Sequence, residues 1–190
     1  MRVTVTGATG RIGAGLVAAL QARGDEVTVL SRSPDRARAA LGTEAVAWRT
    51  EDEPAPAEAL AGRDGVIHLA GEDVAQRWSD EAKRRIRTSR ELGTRNLVAG
   101  LRAADPRPAV LVSASAVGWY GPRGDERVDE DTPAASDFLA EVCAVWEREA
   151  VAAEALGVRV VRVRTGASRV EGAEVGYAPG DTAEFRPVKP

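Results

Sequence analysis

The sequence predicts an α/β fold, a doubly wound parallel sheet of six strands in the order 3-2-1-4-5-6 with helices on both faces. Three observations carry that expectation. A β-branched run at the start, Arg2-Val-Thr-Val-Thr6, turns through glycines into a segment of helical period. Strand-like and helix-like stretches then alternate as far as Gly166. Finally, Val66-Ile-His-Leu-Ala70 is almost wholly apolar, as a parallel strand covered on both faces should be.

Each element has its own signal. Val3 and Val5 alternate with Thr4 and Thr6 in the first strand, and Ile12, Leu16, Val17 and Leu20 then recur at helical spacing. That helix ends near Arg23-Gly24, a basic last turn followed by a glycine stop. Glu26–Leu30 alternates as a second strand. Ser33-Pro34-Asp35 supplies an N-cap, a proline at the first helical position and an early acid, so a short helix begins there. Ala45–Trp48 is a weaker third strand, followed by an acidic, proline-bearing loop over 51–56 and a short helix around Glu58–Leu60. After the fourth strand, Ser79 to Ala103 reads as helix in one or two pieces, with Ile86, Leu97 and Leu101 inward. Ala109–Val112 is the fifth strand. Asp137–Leu156 is a second long helix with Leu139, Val142, Cys143, Trp146, Ala150 and Ala153 on one stripe, and Val158–Val163 is the sixth strand. Beyond Gly166 neither period holds. The expected organisation is therefore one domain over 1–166 and an irregular tail over 167–190.

The first turn carries the strongest chemical signal. Gly7-Ala-Thr9-Gly10-Arg11-Ile12-Gly13 sits between strand and helix, the context that makes a glycine motif meaningful. Gly7 can adopt backbone angles closed to other residues. Gly10 lets the main chain approach a pyrophosphate, and Gly13 lets the helix lie close to the strand. Unpaired N–H groups and the positive end of the helix dipole then face the phosphates. This is a Rossmann dinucleotide site by pattern; the bland alternative is an ordinary tight turn carrying three glycines.

Composition narrows the partners. Net charge is −3 with both signs interspersed, which argues against nucleic acid or a membrane surface, and no apolar run is long enough to span a bilayer. A single cysteine excludes an internal disulfide and fits a reducing compartment. The chain enters a strand at once, so no signal peptide is expected and the cytoplasm is the default location. One histidine, His68, lies within the apolar fourth strand and reads as a core residue. That count rules out a histidine triad within the chain and a histidine-rich metal site.

Cofactor choice is read at the end of the second strand. An acid there would bind the ribose hydroxyls of NAD, whereas Ser31-Arg32-Ser33 offers a guanidinium and two hydroxyls to the 2′-phosphate of NADP. The alternative is a set of solvated loop residues. Ala70-Gly71-Glu72 follows the fourth strand and lets a nucleotide lie against backbone. Ser113-Ala-Ser115 leaves the fifth strand toward Tyr120-Gly121, a hydroxyl and a phenol suited to polarising a carbonyl or alcohol. A capping serine and a half-buried tyrosine would look the same.

Taken together, Thr6–Gly13, His68-Leu-Ala-Gly71, Gly93-Thr-x-Asn96-Leu97 and Ser113-x-Ser115 followed by Tyr120-Gly121 resemble the extended short-chain dehydrogenase/reductases, which include NAD(P)-dependent epimerases and dehydratases. Finer features resemble an atypical subgroup of epimerase-family proteins: Arg77-Trp78, Ser89-Arg90, Gly118–Gly121, Phe138-Leu139 through Cys143 to Trp146-Glu147, and Arg164-Thr165-Gly166. The resemblance implies NADP as cofactor, a small-molecule substrate, Ser115 as the family's catalytic serine, and a homodimer through the two long helices.

Two departures qualify what the resemblance implies. The family's Tyr-x-x-x-Lys pair is absent: four residues beyond the two tyrosines, Tyr120 and Tyr177, stand Gly124 and Asp181. Tyr120 is then the substitute proton donor, while Cys143, flanked by Leu139 and Trp146, is expected to be buried and inert. The family also carries roughly another hundred residues of substrate lobe, and the family-like sequence stops at Gly166, so that lobe is expected to be largely missing. Three readings stay open: an NADP-dependent oxidoreductase or epimerase, a non-catalytic NADP-binding sensor, and an inactive cofactor-domain fragment.

Overall fold

The computed structural model describes residues 1–166, so the expected tail over 167–190 lies outside the described residues. The elements run β1 (Arg2–Thr6), α1 (Arg11–Ala22), β2 (Glu26–Ser31), α2 (Pro34–Leu41), β3 (Glu44–Ala47), β4 (Gly65–His68), α3 (Asp80–Ala103), β5 (Val110–Ala116), α4 (Phe138–Val151) and β6 (Arg159–Thr165), with short 3-10 turns at Ala57–Ala59, Val117–Tyr120 and Ala152–Leu156. All five strand pairings are parallel, and the sheet order is β3-β2-β1-β4-β5-β6.

Alternation along the strands builds a core on each face. Val3, Val5, Val27, Val29 and Ala45 pack with Val17, Leu20 and Ala37 of α1 and α2. On the other face Leu30, Val66 and Leu111 meet Leu97 and Leu101 of α3 and Ala150 of α4. Polar strand residues on that second face are buried but bonded. Thr4 Oγ1 donates to the Ala59 carbonyl at 2.6 Å. His68 is fully buried, with Nδ1 2.7 Å from Thr6 Oγ1 and Nε2 3.1 Å from Thr94 Oγ1, which makes it the core residue its strand position implied.

Both long helices begin on side-chain caps. Ser79 Oγ accepts from the Ala82 N–H, and Asp137 Oδ1 accepts from the Leu139 and Ala140 N–H groups. The first of them is a single 24-residue helix. Two of the boundaries that differ from the sequence pattern concern the end of the sheet and the second long helix. β5 runs on to Ala116, because β6 pairs with it as far as Ala116↔Thr165, so Ser113 and Ser115 lie inside a strand and do not lead out of it. The helix over Asp137–Leu156 is α-helical only to Val151 and tightens into a 3-10 turn before Gly157. Among the described residues, no helix is long and apolar enough to cross a membrane.

The outer faces of α3 and α4 are laced by ion pairs: Arg87 with Glu141 at 3.7 Å and Arg95 with Glu149 at 2.9 Å. Val98 is buried and Leu92 half-buried.

Helix packing predicts opposite effects for one substitution at two helical glycines. A Cβ on Gly100 would stand 2.4 Å from the Ala55 carbonyl oxygen, whereas nothing lies within 4 Å of one on Gly15. Gly100→Ala should lower stability by about 1–3 kcal/mol through overpacking. Gly15→Ala should raise it by about 0.5–1 kcal/mol through helix propensity. Urea unfolding midpoints measure both.

Candidate functional site

One cleft of about 290 Å³ opens at the carboxyl ends of β1, β2, β3 and β4. Its floor is the turn from β1 into α1. Gly7 has φ +66°, and a Cβ there would come within 2.6–2.7 Å of the Leu69 and Ala70 backbone. Only glycine lets the turns after β1 and β4 touch main chain to main chain. Gly13 does the matching work on the helix side, where a Cβ would fall 2.4 Å from the Gly7 carbonyl. The helix that follows has Gly10 as N-cap with no side-chain cap bond and no acid in its first turn. Its leading N–H groups therefore remain open to an anion beside the cleft.

Of the residues singled out in the sequence, Gly7, Thr9, Gly10, Ser31, Arg32, Ala70, Gly71 and Glu72 line this cleft. Gly13 supports it from behind. Arg11 and Ile12 stand exposed at the start of α1, outside the lining set. Ser33 is also outside it; its N–H donates to Ser31 Oγ at 3.1 Å, so it shapes the strand end on which Ser31 sits. The glycine turn, the open helix end and the adjacent basic side chain suit a dinucleotide in form and charge.

Lining residues that the sequence reading gave no part in cofactor binding include Trp48, Thr50, Glu51 and Ser89. Trp48 ends the third strand run, where the rule that ligands gather at carboxyl ends of strands could have found it. Its Nε1 donates to the Glu53 carbonyl at 3.0 Å. Ser89 Oγ accepts from the Glu72 N–H at 2.9 Å and fixes the loop after β4 against α3.

Ser113, Ser115 and Tyr120 are not part of the cleft lining. Ser113 is buried in β5 in register with His68. Ser115 Oγ donates to Glu147 Oε1 at 2.7 Å. Glu147, only 3 % exposed, also receives Arg164 at both oxygens, 2.8 and 3.0 Å, and Arg162 at 3.1 Å. Arg164 donates in turn to the Tyr120 hydroxyl at 3.0 Å, and its guanidinium lies 3.9 Å from the Trp119 ring centre. Burial alone would raise the Glu147 carboxyl, but the bonds from Arg164 and Ser115 and the charges of Arg164 and Arg162 outweigh it and hold the group below its usual value. This network clamps β5, α4 and β6 to one another. Cys143 is buried and its thiol pushed up, chiefly by burial, which fits an inert core cysteine. No cluster of metal-ligating side chains occurs among the described residues.

A model of the NAD dependent epimerase/dehydratase family matches residues 3–181, reaching past Gly166 into the stretch where the sequence shows no regular period. An epimerase family protein of Mycobacterium bovis is 39 % identical over 165 residues, covering 86 % of this chain and 52 % of its own. The chain thus spans about half the length of the curated relatives it matches. Among solved structures, human epimerase family protein SDR39U1 with NADPH is 32 % identical with a TM-score of 0.70, covering 86 % of this chain and 53 % of its own. A short-chain dehydrogenase/reductase superfamily protein of Agrobacterium tumefaciens with bound NAD is 26 % identical, TM-score 0.71, over 86 % of this chain and 48 % of its own.

His68 gives the fold a signature in acid. Burial, with the charge of Arg90 beside it, pulls its pKa down to about 4 from an ordinary 6.5. The folded state keeps the ring neutral while the unfolded chain takes up a proton. Its contribution is therefore complete above pH 6.5 and is lost as the pH falls toward 4, on the order of 3 kcal/mol over that interval. Unfolding free energy measured from pH 7 to 4 should show this fall, and a His68→Asn variant should flatten it.

Proposed function

Because the chain belongs to the NAD dependent epimerase/dehydratase family, we propose that its cleft binds NADP(H) and that this cofactor half serves an oxidoreductase or epimerase. The substrate would be a small carbonyl, alcohol or sugar nucleotide. The observation that carries the reading is the wall shared by the Gly7–Gly10 turn and Arg32. Arg32 is exposed at the strand end and has no carboxylate within ion-pair distance among the described residues. A free guanidinium fork there suits a 2′-phosphate. NADPH in human SDR39U1 supports the same choice, while NAD in the Agrobacterium protein represents the family's other one.

In this assignment Gly7, Thr9, Gly10, Arg11, Ile12 and Gly13 form or support the diphosphate seat. Ser31, Arg32 and Ser33 form the adenosine side, and Ala70, Gly71 and Glu72 the wall beyond, with Ser113 buried in β5 outside the lining. When bound, the dinucleotide supplies hydride-transfer chemistry, and the chain supplies position and protons. Ser115 gives its own proton to Glu147 and so meets a ligand as an acceptor. Tyr120 accepts from Arg164, and its hydroxyl proton has no acceptor among the described residues. That proton makes Tyr120 the candidate acid.

A second reading has an observation of its own. Ser115 and Tyr120 are buried in the Glu147–Arg164 network, outside the cleft. This favours a module that binds NADP without turning it over, as a sensor or as the cofactor half of a longer chain. We further propose a cytoplasmic location, which a single cysteine fits. A homodimer through α3 and α4 would have to close around the Arg87–Glu141 and Arg95–Glu149 pairs.

Fluorescence titration should find NADPH binding at least tenfold tighter than NADH. Arg32→Ala should weaken NADPH by about 10- to 100-fold, the worth of a charge-assisted hydrogen bond, and leave NADH unchanged. Equal affinities in the unaltered chain would refute the NADP assignment. Separately, NADPH oxidation with aldehydes, ketones and quinones should fall about 100-fold or more in Tyr120→Phe if the phenol is the acid. Unchanged turnover removes it from the chemistry, and tight binding with no oxidation by the unaltered chain favours the second reading.

A further inference from the structure

Glu147 is a buried carboxylate that α4 turns toward β5 and β6. Its Oε1 accepts from Ser115 Oγ at 2.7 Å and from Arg164 Nε at 2.8 Å. Its Oε2 accepts from Arg164 Nη2 at 3.0 Å and from Arg162 Nη1 at 3.1 Å. Burial works to raise this carboxyl, but the bonds from Arg164 and Ser115 outweigh it, so the group stays charged at neutral pH. An ionised carboxylate has lone pairs and no proton, and can only accept.

That fixes the direction of the bonds around it. Ser115 has a single hydroxyl proton, and Glu147 takes it, so Oγ offers a ligand lone pairs only. The neighbouring Cys143 thiol does not use them, since its Sγ donates to the Ala116 carbonyl 3.7 Å away. Tyr120 is set the other way. Arg164, gripped by both oxygens of Glu147, donates from Nη1 to the phenol oxygen at 3.0 Å, and a guanidinium has no lone pair with which to accept in return. The phenol proton has no acceptor among the described residues. One buried acid thus leaves the serine an acceptor and the tyrosine a donor. A carbonyl oxygen brought to Ser115 sets lone pairs against lone pairs. A hydroxyl can give its proton to Ser115 and take one from Tyr120.

We propose that Glu147 is a positioning residue that sets this polarity, and that the site thereby selects the hydroxyl over the carbonyl form of its substrate. Glu147 acts through Ser115 and Arg164 and touches no ligand itself. The inference rests on the reading of Ser115 and Tyr120 as the groups that meet the substrate, and the test separates the two.

The experiment titrates cyclohexanol, cyclohexanone, benzyl alcohol and benzaldehyde into the chain and follows the amide NMR signals of Ser115 and Tyr120. No cofactor is added, so nothing can react and the outcome does not depend on the NADP assignment. Each alcohol should bind about 10-fold tighter than its carbonyl, the worth of one hydrogen bond made or refused. In Glu147→Gln the amide can face Arg164 with its oxygen and Ser115 with its NH2, which frees the serine proton. The preference for alcohol should then fall about 10-fold, with carbonyl affinity rising. A loosened fold would instead weaken both classes together, and the dispersion of the amide spectrum reports whether the variant is folded. Ser115→Ala, which leaves Arg164 on Glu147, should lose the preference without any gain for carbonyls. A preference that survives both substitutions, or an equal loss for both classes, overturns the role of Glu147. Binding of neither class at these signals in the unaltered chain overturns the reading of Ser115 and Tyr120 as substrate groups, and the inference with it.

Discussion

The cleft exists because two loops meet without a side chain between them. Gly7 brings the turn after β1 against the Leu69–Ala70 backbone, and Gly13 brings α1 against that same turn. Any Cβ at either position would overlap main-chain atoms, which cannot move aside as a flexible side chain can. The rest follows from this contact. The helix end is held at the switch point of the sheet, its first N–H groups stay open, and the ends of β2 and β4 stand on either side of it.

β5 separates two polar systems of different character. On its cleft side the turns after β1 and β4 are backbone surfaces with open donors. On its far side Ser115, Glu147, Arg162, Arg164 and Tyr120 satisfy one another. A hydrogen-bonded ion-pair network of this kind rigidifies the elements it joins. Here it ties the last two strands to α4, so the end of β5 is held stiffly. That stiffness helps positioning. It also means that a catalytic role for Ser115 or Tyr120 must be exercised without breaking the clamp.

The fold was legible because its elements announce themselves locally. Period-two valines in β1 and β2, the apolar run of β4, and caps at Ser79 and Asp137 all act within a few residues, and the strand order follows from the parallel crossovers. The end of β5 was not legible: Ser113-Ala-Ser115-Ala116 has no apolar marker, and it is strand only because β6 arrives to pair with it. The cleft was legible at its glycines and at Arg32. Thr50 and Ser89 enter it through tertiary contacts, Thr50 on a segment whose carbonyl Asn96 holds from 46 residues away. The Glu147 network had one readable trace. Arg162 and Arg164 share a strand face, where an apolar pair would be usual over a packed helix, and so called for a buried acid opposite.

Two arginines in this chain show how charge is kept inside a protein by different means. Arg164 is neutralised by Glu147, stacked on Trp119 and bonded to Tyr120, so its charge is compensated within the fold. Arg90 shares the aromatic neighbour, in Trp146, but not the carboxylate. Its Nη1 is bonded instead to the carbonyls of Glu72 and Ile86, so backbone oxygens and the Trp146 face carry the charge of this half-buried group. The start of α1 handles its partial charge differently again: its leading N–H groups have no side-chain cap among the described residues and stay open toward the cleft.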